Sequence, residues 1–237
     1  MDKVITVDGP SGVGKWTVSR LVAEALGWRY LDSGAIYRVA ALACLQNNID
    51  LHDIARIAAL CAQLDVEFKV ASADKVLAVY LQGENVSDLI RTEACGNGAS
   101  QISVHPIIRA ALLQRQRDFL TAAGLVTDGR DMGTVVFPQA TIKIFLTASP
   151  TERANRRYKQ LKEKGIDIHF EDLVKELSER DQRDSERSHA PLTPAEDAVM
   201  LSTDGLTAPE VVQAIMAVVV KIIPGWNKVE RIEDNDY

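Results

Sequence analysis

Residues 8–17 read Asp8-Gly9-Pro10-Ser11-Gly12-Val13-Gly14-Lys15-Trp16-Thr17. Glycines in the order Gly-x-x-Gly-x-Gly before a lysine let the backbone curl, so that successive amide N–H groups point at one anion. If a helix starts at the lysine, its N-terminal dipole end adds to that attraction. Lys15 would then reach the β- and γ-phosphates of a nucleoside triphosphate. Thr17 would offer a hydroxyl to phosphate or to a magnesium-bound water. The nine residues Gly9, Pro10, Ser11, Gly12, Val13, Gly14, Lys15, Trp16 and Thr17 are the expected ATP-binding segment. The competing reading is a Gly-rich strand-to-helix turn with no ligand. The general pattern places Ser or Thr directly after the lysine; here Trp16 stands there. An indole can only donate a hydrogen bond and cannot ligate magnesium. The expectation is a working backbone cradle with impaired donor alignment.

Three further clusters carry polar chemistry. In Leu31-Asp32-Ser33-Gly34-Ala35-Ile36-Tyr37-Arg38, Ser33 is read as a helix cap and Arg38 as a phosphate clamp one turn into that helix. In Thr127-Asp128-Gly129-Arg130-Asp131-Met132-Gly133, an apolar strand ends in Asp128, a place for an acid that orients magnesium through water. Arg130 follows with a planar fork suited to phosphate. Arg180, Arg183, Asp184 and Arg187 fall at helical spacing on one face, and Arg153, Arg156 and Arg157 lie on the preceding helix. Each of these sets reads equally as an ordinary cap, turn or solvated charged face. His52, His105, His169 and His189 are isolated, and no Asn-Lys-x-Asp run marks a guanine switch.

The elements that must position these residues follow from periodicity. Lys3–Asp8, short, apolar and β-branched, reads as a buried strand, and Trp28–Leu31, Leu125–Thr127, Ile142–Leu146 and Ala198–Leu201 read as further strands. Helices are expected from Val18 to Leu26 with Gly27 closing, and over Ala35–Asn47, Ile54–Leu64, Ile107–Ala122, Thr151–Lys164, Phe170–Arg187 and Pro209–Ile222. Val66, Phe68 and Val70, then Leu77, Val79 and Leu81, alternate about a turn at Ser72–Lys75, which predicts an antiparallel insertion. Strands alternating with helices predict an α/β fold around a mostly parallel sheet. Ligands then sit beyond the carboxyl ends of the strands, just after Asp8, Leu31, Thr127 and Leu146.

The 237 residues, 46% of them hydrophobic, suffice for one α/β domain. No run of about 18 apolar residues predicts a membrane span, and no signal peptide is expected. Cys44, Cys61 and Cys95 have no metal or disulfide spacing and read as reduced core thiols of a cytoplasmic protein. A net charge of −6 argues against broad nucleic-acid binding. Trp28 and Trp226 read as packing residues, and the acidic tail from Glu230 as frayed.

Taken together, the Asp8–Lys15 loop, Leu31–Arg38, Ile90-Arg91-Thr92, Ala99-Ser100-Gln101, Asp128–Pro138 and Glu179–Pro191 resemble bacterial cytidylate kinases, a family of nucleoside monophosphate kinases. The resemblance runs from Val4 to about Leu201. It implies a P-loop kinase fold with a parallel five-stranded core, helices on both faces, a small antiparallel β insertion and a short lid. On this reading residues 1–237 form a single kinase domain, with a monophosphate-binding region at 35–104, the insertion at about 65–90 and the lid at 151–166. The implied activity is transfer of the γ-phosphate of magnesium-ATP to CMP or dCMP, by a cytoplasmic monomer without nucleic-acid or membrane partners. Ser33, Arg38 and Arg130 would hold the CMP phosphate, Ser100, Arg109, Asp131 and Arg187 the cytosine, and Arg180 and Asp184 the ribose. Lys15, Asp128, Arg130, Arg153 and Arg157 would serve the transfer, with magnesium held through water near Thr17 and Asp128. Trp16 departs from the family, which usually has Gly or Ser there. Two alternatives stay open: a P-loop kinase for another small acceptor, and a nucleotide-binding regulator with catalysis weakened by Trp16.

Overall fold

The computed structural model describes residues 3–71, 76–163 and 165–223. Strand β1 (Val4–Asp8) is buried along its whole length, as its apolar, β-branched sequence requires. It lies at the centre of a five-stranded sheet. On one side follow β6 (Leu125–Gly129) and then β2 (Arg29–Asp32); on the other, β7 (Ile142–Thr147) and then β8 (Val199–Ser202). All four pairings are parallel. Parallel neighbours need long crossovers, and helices supply them. Ile5, Val7 and Val126 face a core shared with α1 (Lys15–Leu26) and α8 (Ala208–Ile222). Val4 and Leu125, one residue out of phase, face a second core. That core is shared with α2 (Ser33–Gln46), α3 (Ile54–Ala62), α4 (Glu93–Ile102) and α5 (Pro106–Arg117). The period-2 alternation of the strands thus puts helices on both faces.

The antiparallel insertion is present. Strands β3 (Val66–Ala71) and β4 (Val76–Leu81) pair in the alternating register, and a short β5 (Glu84–Asn85) joins them. The expected turn at 72–75, Lys164, Trp226 and the acidic tail lie outside the described residues. Helices α6 (Pro150–Glu163) and α7 (Phe170–Ser185) pack on each other through their own cluster of Ala154, Leu161, Leu173 and Leu177. Tyr158 and Phe170 meet there edge to face at 5.9 Å. All three cysteines are buried free thiols, and Trp28 packs in the core.

Several boundaries differ from the sequence expectation, each for a local reason. Strand β6 runs on through Asp128 and Gly129, because its ladder with β1 continues to the pair Asp8–Gly129. Helix α5 stops at Arg117, and Phe119 leaves it to meet Phe68 edge to face at 5.1 Å. Ser33 is not the cap of α2. The cap is Asp32, whose carboxylate accepts from the Ala35 amide at 3.0 Å, and Ser33 is the first helical residue. Helix α7 ends at Ser185, so Arg187 lies beyond it and the four-residue charged strip is not one helix face. Helix α4 was not anticipated, since Gly96 and Gly98 lower its helix propensity. Those small residues let it close on α2: a Cβ at Gly98 would lie 3.1 Å from that of Ala41.

Candidate active site

At the carboxyl end of β1 the chain turns through Gly9, Gly12 and Gly14 at φ of 149°, 80° and 93°, which a side chain would resist. Gly14 caps α1, and Lys15 is its first residue. The loop therefore opens its amides toward the start of a helix, the arrangement that binds phosphate. A cleft of about 550 Å³ lies against it, within the range of small-ligand sites. Ser11, Gly12, Gly14, Lys15, Trp16 and Thr17 line this cleft; Gly9, Pro10 and Val13 form the loop behind.

Lys15 is buried, and its ammonium donates to the Pro10 carbonyl at 2.7 Å. Burial first, and then the neighbouring Arg130, hold its pKa well below the usual lysine range. Asp128 faces it from β6. Burial, reinforced by Asp32, raises the Asp128 carboxyl to about 7, against the pull of Lys15 and of the Tyr30 hydroxyl that donates to it. Both groups carry charge at a cost.

Four arginines meet on the far side of the cleft. Arg38 on α2 donates to the Ile90 carbonyl at 2.9 Å. Arg130 donates from Nε to Asp184 at 2.7 Å, and Asp184 also receives Arg187. Burial works against the Arg130 charge, but Asp184 more than compensates and its pKa is raised. Arg157 pairs with Glu93. Arg180 also lines the cleft, with no hydrogen bond or ion pair of its own among the described residues. Burial, then Arg130 and Arg38, push it down to about 9. This corner is a concentration of positive charge that an anion would relieve.

Deeper in, Arg109 pairs with Asp131 and donates to the Ser103 carbonyl at 3.2 Å. Arg187 donates to the Ser103 hydroxyl at 3.0 Å, and Arg183 to the Ser100 hydroxyl at 3.3 Å. Ser33 donates to the buried Gln116 at 2.9 Å. Ser33, Arg38, Ser100, Arg109, Arg130, Asp131, Arg180, Asp184 and Arg187 all line this one cleft.

Arg153 differs. It does not line the cleft but lies buried behind the loop, bonded to the Ser11 carbonyl at 3.0 Å and paired with Asp181 at 2.5 Å. Arg156 holds the Thr203 hydroxyl at 2.9 Å and braces the same loop at the Val13 carbonyl. Trp16 is 38% exposed, with the Arg91 and Arg20 guanidinium carbons 5.0 and 5.7 Å from its ring. Sequence reasoning missed Tyr30 and Gln116, and it assigned no role of their own to Asp8, Arg91 and Arg183, although each stood in a motif it singled out. Asp8 and Tyr30 carried a faint signal, as polar residues within the strands that deliver the site. Gln116 carried none, because its role depends on how α5 docks against α2.

A glycine cradle between β1 and α1, a central β1 flanked by β6 and β7, and an arginine-lined region inserted between β2 and β6 define a P-loop kinase of the nucleoside monophosphate kinase fold. The chain belongs to the cytidylate kinase family, whose model matches residues 5–221. It is 55% identical over 217 residues to a cytidylate kinase of Aeromonas hydrophila, covering 92% of this chain and 94% of that one. It is 50% identical over 221 residues to a cytidylate kinase of Shewanella loihica, covering 93% and 96%.

Proposed function

We propose that the chain transfers the γ-phosphate of ATP to CMP or dCMP, giving ADP and CDP or dCDP. The observation that carries this reading is Arg180, which makes no hydrogen bond or ion pair among the described residues, gathered with Arg38 and Arg130 in the cleft that also holds the glycine cradle. Two anionic phosphates must meet for this reaction, and the cleft presents a cationic wall to each.

Lys15 and the loop amides hold the β- and γ-phosphates of the donor. Arg38, Arg130 and Ser33 hold the acceptor phosphate, and Arg180 and Asp184 the ribose. Arg109, Asp131, Arg187 and Ser100 read the cytosine edge. An acceptor phosphate oxygen forms the new bond to the γ-phosphorus as the bond to the β,γ-bridging oxygen breaks. The acceptor is already an anion near neutral pH, so the reaction needs no strong general base. Alignment and charge neutralisation supply the catalysis.

Among the described residues no group of three or more His, Cys, Asp or Glu could hold a metal ion. Magnesium would therefore arrive with the triphosphate and keep its waters, with Thr17 and Asp128 as outer contacts. The raised Asp128 fits this, since a buried carboxylate short of positive charge gains from a cation. When bound, the ion neutralises charge on the β- and γ-oxygens.

Residues 151–166 act as the lid, within a single kinase domain whose acceptor region is 35–104. Arg157 on the lid helix faces the transferring phosphate. Arg153 acts by bracing the loop, not by touching it. The unpaired buried thiols fit a reducing compartment, and we place a monomer in the cytoplasm. Among the described residues no helix is long and apolar enough to cross a membrane.

Arg38→Ala and Arg130→Ala test the reading. Each should raise the CMP KM by about tenfold or more, with the ATP KM within about twofold, and lysine at either position should rescue poorly because it lacks the fork. Wild-type acceptor constants in both variants would overturn the assignment.

A further inference from the structure

The reaction described above gives no role to the buried carboxylate of Asp8. Asp8 is the last residue of β1, directly before the phosphate loop, and is almost fully buried. Its two oxygens accept from two successive amides, Met132 at 2.9 Å and Gly133 at 2.8 Å. Those amides open the π-helical turn Met132–Val136, which follows Arg130 and Asp131 without an intervening residue. The Asp131 carbonyl in turn accepts from Val135 at 2.9 Å and Val136 at 3.2 Å.

We propose that Asp8 is a positioning residue for the acceptor side of the cleft: its carboxylate pins the Met132–Gly133 backbone and so fixes where Arg130 and Asp131 point. Three observations support it beyond the two hydrogen bonds. First, the turn is pressed onto β1. A Cβ at Gly133 would lie 2.8 Å from the Thr6 hydroxyl oxygen, so the backbone has little room to settle elsewhere. Second, the Met132 side chain folds back onto Gly129, where a Cβ would lie 2.7 Å from it, so the residues on either side of Arg130 and Asp131 are packed together. Third, the carboxylate sits there at a cost. Burial, with Asp131 nearby, raises it to about 6 even though both amides and Lys15 favour its charge. What offsets that cost is the pair of amide hydrogen bonds, which an apolar residue could not accept. Because Asp8 adjoins Gly9, one residue ties the start of the donor loop to the turn that presents the acceptor arginine.

This inference rests on the reading of Arg130 as an acceptor-phosphate ligand, and the test separates the two. Asp8→Asn keeps the shape but turns one acceptor oxygen into an amide donor, so one of the two buried N–H groups loses its partner. The variant should raise the CMP KM by about tenfold, with the ATP KM within about twofold. Hydrogen exchange at the Met132 and Gly133 amides should quicken by a similar factor, while exchange in α1 and α8 is unchanged. Asp8→Glu, with the charge retained on a longer arm, should recover part of the acceptor affinity. Unchanged exchange at Met132 and Gly133, or equal rises in both KM values, would overturn the positioning role. Faster exchange with an unmoved CMP KM would also overturn it, provided Arg130→Ala raises that KM. If Arg130→Ala leaves it unmoved too, the reading of the acceptor site fails instead.

Discussion

Asp128→Asn should make the protein more stable and the reaction slower at the same time. The carboxylate is buried and sits beside Asp32, and its pKa rises to about 7. An acid whose folded pKa lies above its unfolded value holds its proton more tightly when folded. The folded state then loses stability as pH rises from about 4 to about 7. The full gap corresponds to about 4 kcal/mol, a ceiling on what the buried charge costs. Asparagine removes that cost and keeps an oxygen for the Tyr30 hydroxyl, which donates to Asp128 at 2.5 Å. It also takes from buried Lys15 the stronger of its two acidic neighbours, Asp128 and Asp184, so a net gain of about 1–2 kcal/mol is expected. For a domain of this size that is about 3–6 °C in Tm at pH 8. The gain should shrink steadily as pH falls toward 4. Turnover should drop by about 10- to 100-fold, the usual effect of losing an outer contact to a metal-bound group. Calorimetry of the nucleotide-free protein at pH 5, 6 and 8, beside a coupled assay, reads both. A lower Tm at pH 8, or a gain that does not change with pH, would refute the account of Asp128 as a charge held at a cost.

Lys15→Ala should cut turnover by about 10²- to 10³-fold. Its Tm should not fall, because burial and Arg130 disfavour the ammonium in the folded protein; full activity at unchanged Tm would contradict the role. Trp16→Gly should raise turnover at saturating CMP and change the CMP KM little, since the indole lines the cleft next to Lys15. The same variant should lower Tm by a few degrees, because two exposed cation–π contacts at about 0.5–1 kcal/mol each are lost. Equal or lower turnover in a folded protein would show that the tryptophan does not impair donor alignment.

The parts of this site that are contiguous in the chain could be read without coordinates. Gly9 to Lys15 announce a phosphate cradle by spacing alone, and strict alternation exposed the β3–β4 insertion. Leu31–Arg38 and Asp128–Gly133 were visible as polar residues at strand ends, which is where parallel sheets place their ligands. Packing decided the rest. Asp32 and Ser33 are both good caps, and only the chain path shows that Asp32 takes the role and frees Ser33 for Gln116. Arg153 and Arg157 lie four residues apart on one helix, yet the first braces the loop and the second lines the cleft. Helix α4 hid because glycines that weaken a helix in isolation strengthen it here by letting it close on α2.

The central claim is tested most directly by an acceptor panel: ADP release from magnesium-ATP, measured as kcat/KM for CMP, dCMP, UMP, AMP and GMP under one set of conditions. Arg109 pairs with Asp131, Arg187 bonds Ser103 and Arg183 bonds Ser100 in the part of the cleft where the proposed reading seats the base. A wall built to bond cytosine leaves buried polar groups unpaired with any other base, which costs far more than a poor fit alone. CMP or dCMP should lead, UMP should follow weakly, and the purines should be excluded. Faster phosphorylation of AMP than of CMP, or ATP binding with no transfer to any monophosphate, would contradict the account.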